Sequence, residues 1–232
     1  MTPALSIIVP CLNEAAGIAR TLGDLQPMRE RGVEVIVVDG GSSDDTLALA
    51  APLADRAIVA ACGRASQMNA GAALARGDVL LFLHADCRLP PAAERMILDG
   101  LAGGARRWGR FDVEFDDAQP MLRVVACLMN WRSRLTGIAT GDQGMFMTRD
   151  LFALHGGYPD IALMEDVALS KRLRMDGPPL CLAARITTSA RRWQQRGVLR
   201  TVLLMWRLRF AYFIGVDPAK LALRYDSVRT SN

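Results

Sequence analysis

The chain has 232 residues, 51% of them hydrophobic and 22% charged, which supports a packed core and excludes a disordered or fibrous protein. Its 28 basic and 24 acidic residues leave a net charge of +4, too small and too scattered to mark a nucleic-acid binder. Only Lys171 and Lys220 are lysine, leaving 26 arginines. That bias is either a habit of composition or a supply of planar, bidentate donors for phosphate oxygens.

Cys11, Cys62, Cys87, Cys127 and Cys181 are odd in number and contain no CxxC. They predict neither a disulfide framework nor a zinc site, but small buried residues in a reducing cytoplasm. The apolar run 5–9 has no basic stretch before it and stops at Pro10, as a strand does and a leader does not. The longest apolar stretch, 198–214, is broken by Arg200, Arg207 and Arg209, so no membrane span is expected.

Strand and helix alternate through the first hundred residues. Strand 5–9 is followed by a helix over 14–25, and the continuous apolar run 33–38 suits a parallel strand buried on both faces. Ser42 to Asp45 offer capping groups for a helix over 47–51. A third strand spans 56–60, an alanine-rich helix 66–75 ends before Gly77, and a fourth strand spans 79–83. Pro90 and Pro91 are placed to open a further helix. The pattern predicts right-handed crossovers and a doubly wound α/β sheet.

After Gly100 the pattern changes. Phe111, Val113 and Phe115 alternate with Asp112, Glu114 and Asp116, a half-exposed strand. A helix over 121–135, a glycine-rich loop 140–144, a short strand through Met147 and a helix ending near His155 follow. Residues 165–175 read as helix, 180–186 as strand and 198–214 as a last long helix. Two readings of the helices at 121–135 and 198–214 stand side by side. Their apolar faces pack in the core, or one face rests on a membrane with arginines reaching head groups. With no repeat or linker, the chain is expected to be one domain, 1–232: a nucleotide-type half to about residue 100 and a mixed half beyond it.

In an open α/β sheet, ligands lie beyond the carboxyl ends of the strands. Polar groups collect there: Asn13 and Glu14 after the first strand, Asp39 after the second, His84 and Asp86 after the fourth. The stretch Asp39-Gly-Gly-Ser-Ser-Asp-Asp-Thr46 lets a ligand approach backbone, yet it is neither a GxGxxG nor a GxxxxGK[ST] loop, which removes the best support for hydride transfer or NTP hydrolysis.

Ser6-Ile-Ile-Val-Pro-Cys-Leu-Asn-Glu14, Val35-Ile-Val-Val-Asp-Gly-Gly-Ser-Ser-Asp-Asp-Thr46 and Gly77-Asp-Val-Leu-Leu-Phe-Leu-His-Ala-Asp86 resemble the family 2 glycosyltransferases of GT-A fold. Gly141-Asp-Gln-Gly-Met-Phe146, Gly156-Gly-Tyr158 and Met164-Glu-Asp166 continue the resemblance in order, over residues 4 to 193. The closing segment from Tyr212 to Tyr225 is similar to a small bacterial subgroup associated with radical-SAM/selenodomain proteins.

The resemblance implies a Rossmann-like, mostly parallel sheet with a mixed acceptor-side half. It also implies a nucleotide-diphosphate sugar donor, usually uridine-based, and inversion at the anomeric carbon. Carried over by position, Pro10, Glu14 and Asp39 belong to the donor site, and Arg64 and Asn69 lie near the nucleotide or diphosphate. Asp86 binds the donor through Mg²⁺ or Mn²⁺, where a cation stabilises the charge of the departing diphosphate. Asp166 is the base, and Asp142, Gln143, Glu165, Arg192 and Trp193 face the acceptor.

The usual Asp-x-Asp is His84-Ala85-Asp86 in this chain, with His84 read as a hydrogen-bonded strand-end residue. One carboxylate still suits Mg²⁺, with phosphates and water completing its shell. Ser189-Ala-Arg-Arg-Trp193 stands where processive relatives carry Gln-x-x-Arg-Trp, which favours a single transfer. The acceptor is expected to be small or lipid-linked, and the protein cytoplasmic or peripheral at the inner face of the membrane. Acceptor identity and oligomeric state stay open. Rival readings are a silent nucleotide-sugar-binding module and a sugar-1-phosphate nucleotidyltransferase; the latter would carry a glycine-rich basic loop where Pro10-Cys-Leu-Asn-Glu14 stands.

Overall fold

The apolar runs of the first half form the centre of the sheet because helices cover both of its faces. A computed structural model of the chain describes residues 3–230. β1 (Leu5–Cys11), β2 (Glu34–Asp39), β3 (Arg56–Val59) and β4 (Val79–Phe82) pair in parallel. Their crossovers run through α1 (Ile18–Glu30), α2 (Thr46–Ala50) and α3 (Arg64–Leu74).

The second half adds β5 (Cys87–Arg88), β6 (Trp108–Phe115), β7 (Met145–Thr148) and β8 (Leu180–Thr188). The eight strands run in the order β3-β2-β1-β4-β7-β6-β8-β5. β7 is antiparallel to both β4 and β6, β5 is antiparallel to β8, and β6 and β8 are parallel. The parallel pairing is unbroken through β3-β2-β1-β4, and the other four strands form the mixed half, as expected. The connections from β1 to β2 to β3 step toward one edge and the connection from β3 to β4 returns past β1, so the switch point, where ligands bind in such sheets, lies between β1 and β4.

Ile7, Val9, Val35, Val37 and Leu81 point to one face, under Ile18, Leu22 and Leu25 of α1 and Ile97 and Leu101 of α4 (Ala93–Ala102). Ile8, Ile36, Val38, Leu80 and Phe82 point to the other, under Met68 and Ala72 of α3 and Leu151 of α6 (Arg149–Leu154). Alternate residues of one strand thus serve two cores, which is why the runs lack a polar face. A third cluster joins Met164 and Val167, at the start of α7 (Glu165–Leu173), to Leu208 of α9 (Val198–Phe213) and Leu221 of α10 (Pro218–Thr230).

Several boundaries differ from expectation. The first helix starts at Ile18, because Asn13 turns the chain with φ +54° and residues 14–17 form a separate turn. Pro90 and Pro91 precede α4 by a turn in which Ala92 has φ +55°. The short helix α8 (Arg191–Arg196) and the helix α10 were not expected. Cys11 and Cys87 are buried as expected, whereas Cys62 and Cys127 are exposed. The two long apolar helices, α9 and α5 (Pro120–Thr136), each bury one face and expose another. No helix among the described residues is long and apolar enough to cross a membrane.

Candidate active site

The loops after β1 and β2 are stitched together at the switch point. Asn13 Oδ1 accepts from the Ser43 amide at 2.9 Å, the Asn13 amide donates to Ser42 Oγ at 2.8 Å, and the Glu14 amide donates to Thr46 Oγ1 at 2.8 Å. Asparagine tolerates the left-handed backbone that this arrangement requires at position 13. Gln67 Nε2 completes the floor, donating at 2.8 Å to the carbonyls of both Cys11 and Val38.

A cavity of about 390 Å³ opens above this floor. Pro10, Glu14, Arg64, Asp86 and Glu165 line it, as does His84, so residues from four separate chain segments converge. Gly63 and Arg64 bring the first turn of α3 to the wall, where backbone N–H groups favour an anion. The opposite wall comes from the C-terminal helices, through Arg191, Gln195 and Arg196 of α8 and Tyr225 of α10. Arg191 reaches across to Glu14 at 3.4 Å, and the Arg196 guanidinium lies over the Tyr225 ring. Arg196 Nη1 is buried without a hydrogen-bond partner among the described residues.

Asp39 is buried at the end of β2 and does not line the cavity. Its carboxylate accepts from the Gly41 amide at 3.0 Å, the Ser42 amide at 2.7 Å and the Ser42 hydroxyl, and so shapes the loop above it. Burial first, and then Asp39, push the neighbouring Cys11 thiol up to about 12. Asn69 also faces away. Its amide exchanges two hydrogen bonds with the Tyr158 backbone, at 2.8 and 2.9 Å, and holds the Gly156-Gly-Tyr158 loop.

Glu165 and Asp166 diverge at the start of α7, where Met164 has φ +71°. Glu165, expected on the acceptor side, lines the cavity with Arg64 and Asp86. Burial and the Asp166 charge push it up to about 7, against the pull of Arg64 and His84. Asp166 turns to the glycine-rich loop, where its Oδ2 accepts from the Gly141 amide at 2.9 Å and its Oδ1 from the Val167 amide at 2.6 Å. Burial raises its pKa and the two amides oppose this. Arg64 would lose charge through burial, but Glu165 and the other acidic groups hold its pKa above the usual arginine value.

Asp142, in the same glycine-rich loop, meets His84 Nδ1 at 3.2 Å. Gln143 is fully buried and braces the turn: its Oε1 accepts from the Thr140 amide at 3.2 Å, and its Nε2 reaches Asn130 at 3.4 Å. Trp193 packs edge-on against Phe115 at 5.2 Å between ring centres, fastening α8 to β6. The Arg192 side chain lies outside the described part of the structure. Arg132, which sequence reasoning passed over, lies within electrostatic reach of Asp166 and Asp142. Its Nε and Nη2 are buried without hydrogen-bond partners among the described residues.

His84, Asp86 and Cys87 hold their ligand atoms within 4.8 Å of one another. Burial and Asp86 raise the Cys87 thiol well above its usual value, and its sulfur donates to Thr188 Oγ1 at 3.4 Å. Mg²⁺ and Mn²⁺ are hard ions that prefer oxygen to sulfur, which leaves the Asp86 carboxylate beside the His84 imidazole as their ligands. That set suits a Mg²⁺ or Mn²⁺ whose remaining ligands are phosphate and water.

Residues 6–153 match the family model described as glycosyl transferase family 2. The chain belongs to that family. An uncharacterized family relative from Mycobacterium tuberculosis (strain CDC 1551 / Oshkosh) is 36% identical over 116 residues, which cover 44% of this chain and 41% of the relative. The chain thus spans about two fifths of the length of that curated relative. Staphylococcus aureus TarS 1–349 in complex with UDP superposes with a TM-score of 0.65 at 16% identity, over 80% of this chain and 60% of TarS. The mannosyltransferase PcManGT of Pyrobaculum calidifontis, in complex with GDP-Man and Mn²⁺, gives 0.63 at 21% identity, over 91% of this chain and 61% of PcManGT. At these identities the structural likeness is one of fold, and the fold of this family 2 chain is of the GT-A type.

The sequence motifs named residues on one side of the cavity, and Arg191, Gln195 and Arg196 on the other went unnamed. Arg191, Gln195 and Arg196 carried a signal in their spacing: Arg191 and Gln195 stand four apart, on one helical face. Without a predicted helix at 191–196, that spacing had no meaning.

Proposed function

We propose that this family 2 chain transfers one glycosyl group from a nucleotide-diphosphate sugar, UDP-linked, to a small or lipid-linked acceptor. The anomeric carbon is inverted and Mg²⁺ or Mn²⁺ assists. The protein works in the cytoplasm and is peripheral to the membrane. The observation that carries this reading is the convergence of Glu14, Arg64, Asp86 and Glu165 on one cavity at the switch point.

Pro10 and Glu14, with the loop shaped by Asp39, form the end of the cavity that suits the nucleoside. Arg64 and the first turn of α3 supply positive charge for the diphosphate, and Arg191 and Arg196 face them from α8. Asp86 would hold the metal ion, which when bound neutralises charge on the departing diphosphate. Glu165, within electrostatic reach of Arg64, favours the charged form of that guanidinium.

Asp166 receives the proton of the acceptor hydroxyl. A carboxylate has about four lone-pair positions, so the Gly141 and Val167 amides fix its plane and leave two lone pairs to accept from the hydroxyl. As the proton passes to Asp166, the acceptor oxygen bonds to the anomeric carbon on the face opposite the breaking bond to diphosphate. One such displacement inverts the centre. A positioned base contributes about 10²–10⁴-fold in rate.

Titration calorimetry with UDP- and GDP-sugars, with and without Mn²⁺, followed by an assay of donor hydrolysis, tests the proposal. Binding strengthened by Mn²⁺ and slow release of free sugar are expected. Binding without any turnover would leave a binding module. Pyrophosphate release from NTP and a sugar-1-phosphate would make the chain a nucleotidyltransferase.

A further inference from the structure

α9 has two apolar faces and only one of them is packed. Leu204, Met205, Leu208, Ala211 and Tyr212 belong to the cluster with Met164, Val167 and Leu221. Leu199, Leu203, Trp206, Phe210 and Phe213 lie on the other side, each 60–78% exposed. Their spacing of four, three, four and three residues gathers them into an arc of about 80° at ~100° per residue. By the same count, Arg200 and Arg207 lie along one edge of that arc and Arg209 along the other.

A second helix repeats the pattern. Met121, Val124, Leu128, Trp131 and Leu135 of α5 are 45–65% exposed and share one arc, with Arg123 and Arg134 off one edge. Ile138, just past the end of α5, packs into the cluster beneath α9. Arg134 is already paired with Asp112, at 2.6 and 2.8 Å, so Arg123 remains beside the α5 stripe and Arg200, Arg207 and Arg209 beside the α9 stripe. Residues 198–213 of α9 contain no Asp or Glu.

We infer that the exposed stripes of α9 and α5 dock on the surface of a bilayer containing anionic phospholipid. Apolar side chains standing in a row in water mark a surface that is covered in use. The arginines choose the cover. A second copy of the α9 stripe would set Arg200, Arg207 and Arg209 against one another with no carboxylate on that helix between them. Phosphate head groups instead accept the guanidinium donors while acyl chains take up the stripe. Trp131 and Trp206 within the stripes are the residue type that favours the interface. Neither helix can cross the bilayer, so each lies on it. This inference does not depend on the donor chemistry.

The test is co-sedimentation of the full chain with phosphatidylcholine vesicles and with vesicles that also contain phosphatidylglycerol. Binding to the anionic vesicles is expected, weakening with added salt, together with a blue shift of tryptophan emission. Trp206→Glu/Phe210→Glu should lower vesicle partitioning at least about tenfold. Arg200→Glu/Arg207→Glu should remove the preference for phosphatidylglycerol. Circular dichroism and affinity for UDP serve as controls on both, since none of the four residues faces the core or the cavity. If the tryptophan–phenylalanine variant fails to fold, the arginine variant decides. Absence of binding to anionic vesicles, or binding that neither variant changes, would overturn the inference. A wild-type dimer that the Trp206→Glu/Phe210→Glu change converts to monomer, without vesicle binding, would give the face to a second copy instead.

Discussion

Asp166 accepts a 2.9 Å hydrogen bond from the amide of Gly141, and that bond ties the first turn of α7 to the loop carrying Asp142. Glu165, one residue earlier, lines the cavity within electrostatic reach of Arg64. Two adjacent carboxylates thus serve two different surroundings, as their divergence of about 100° on a helix requires.

Binding and chemistry should therefore separate on mutation. Asp166→Asn keeps the shape and an accepting oxygen but cannot take a proton. Single-turnover rates at saturating donor should fall by about 10²–10⁴-fold, with donor affinity little changed. Glu165→Gln should weaken donor binding more than it slows the chemical step. Near-normal turnover in Asp166→Asn, together with a dead Glu165→Gln, would move the base by one residue.

The parallel core was legible because each run had to be apolar on both faces, and helix starts and turns shifted it by only a few residues. The mixed half was harder to read. β7 joins β4 antiparallel through four residues, Met145–Thr148, too few for a period to show. Asp39, Asn69, Gln143 and Trp193 were read from the motifs as site residues, but their polar or aromatic groups are committed to backbone and packing partners. A motif gives the residue type at a position and says nothing of which partner claims its hydrogen bonds. Arg191 and Arg196 were hidden for the opposite reason: they reach the cavity from a distant segment through tertiary packing alone.

Gly141 approaches His84 so closely that a Cβ there would lie 2.3 Å from Nε2 and 2.5 Å from Cε1 of the ring. Gly141→Ala must push the imidazole aside, and with it the contact to Asp142. Overpacking of this kind costs about 1–3 kcal/mol, a fall in melting temperature of several degrees. Adding His84→Ala should recover much of that loss by removing the ring. If the double variant is no more stable than Gly141→Ala alone, the clash is not the cause.

Glu165 also makes stability depend on pH. Its folded pKa of about 7 lies above the unfolded value, so between roughly pH 4.5 and 7 the folded chain binds more protons than the unfolded one. Stability from this group therefore falls as pH rises through that window. Glutamine stays neutral throughout. The melting temperature of Glu165→Gln relative to wild type should accordingly increase between pH 5 and pH 8. A difference that is flat or declines with pH would show that the carboxyl is not held in its neutral form. The slope belongs to the Glu165–Asp166 pair, so Asp166→Asn should reduce it as well.

Asp86 is the one carboxylate left in the segment where the resemblance expects two, and its neighbours decide whether it is sufficient. The buried Cys87 sulfur is engaged with Thr188 Oγ1 and is a soft donor, so it competes poorly for a hard ion. His84 is turned to Asp142. With the diphosphate supplying oxygens, a single carboxylate is within what Mg²⁺ accepts. Asp86→Ala should therefore abolish the strengthening of UDP binding by Mn²⁺, while UDP binding without metal persists through Arg64. Cys87→Ser should leave the Mn²⁺ effect in place, because its sulfur is not a ligand in this reading. Calorimetric titrations of UDP against both variants, with and without Mn²⁺, separate the cases. An Mn²⁺ effect that survives Asp86→Ala but is lost in Cys87→Ser would put the ion on the sulfur and remove Asp86 from the donor site.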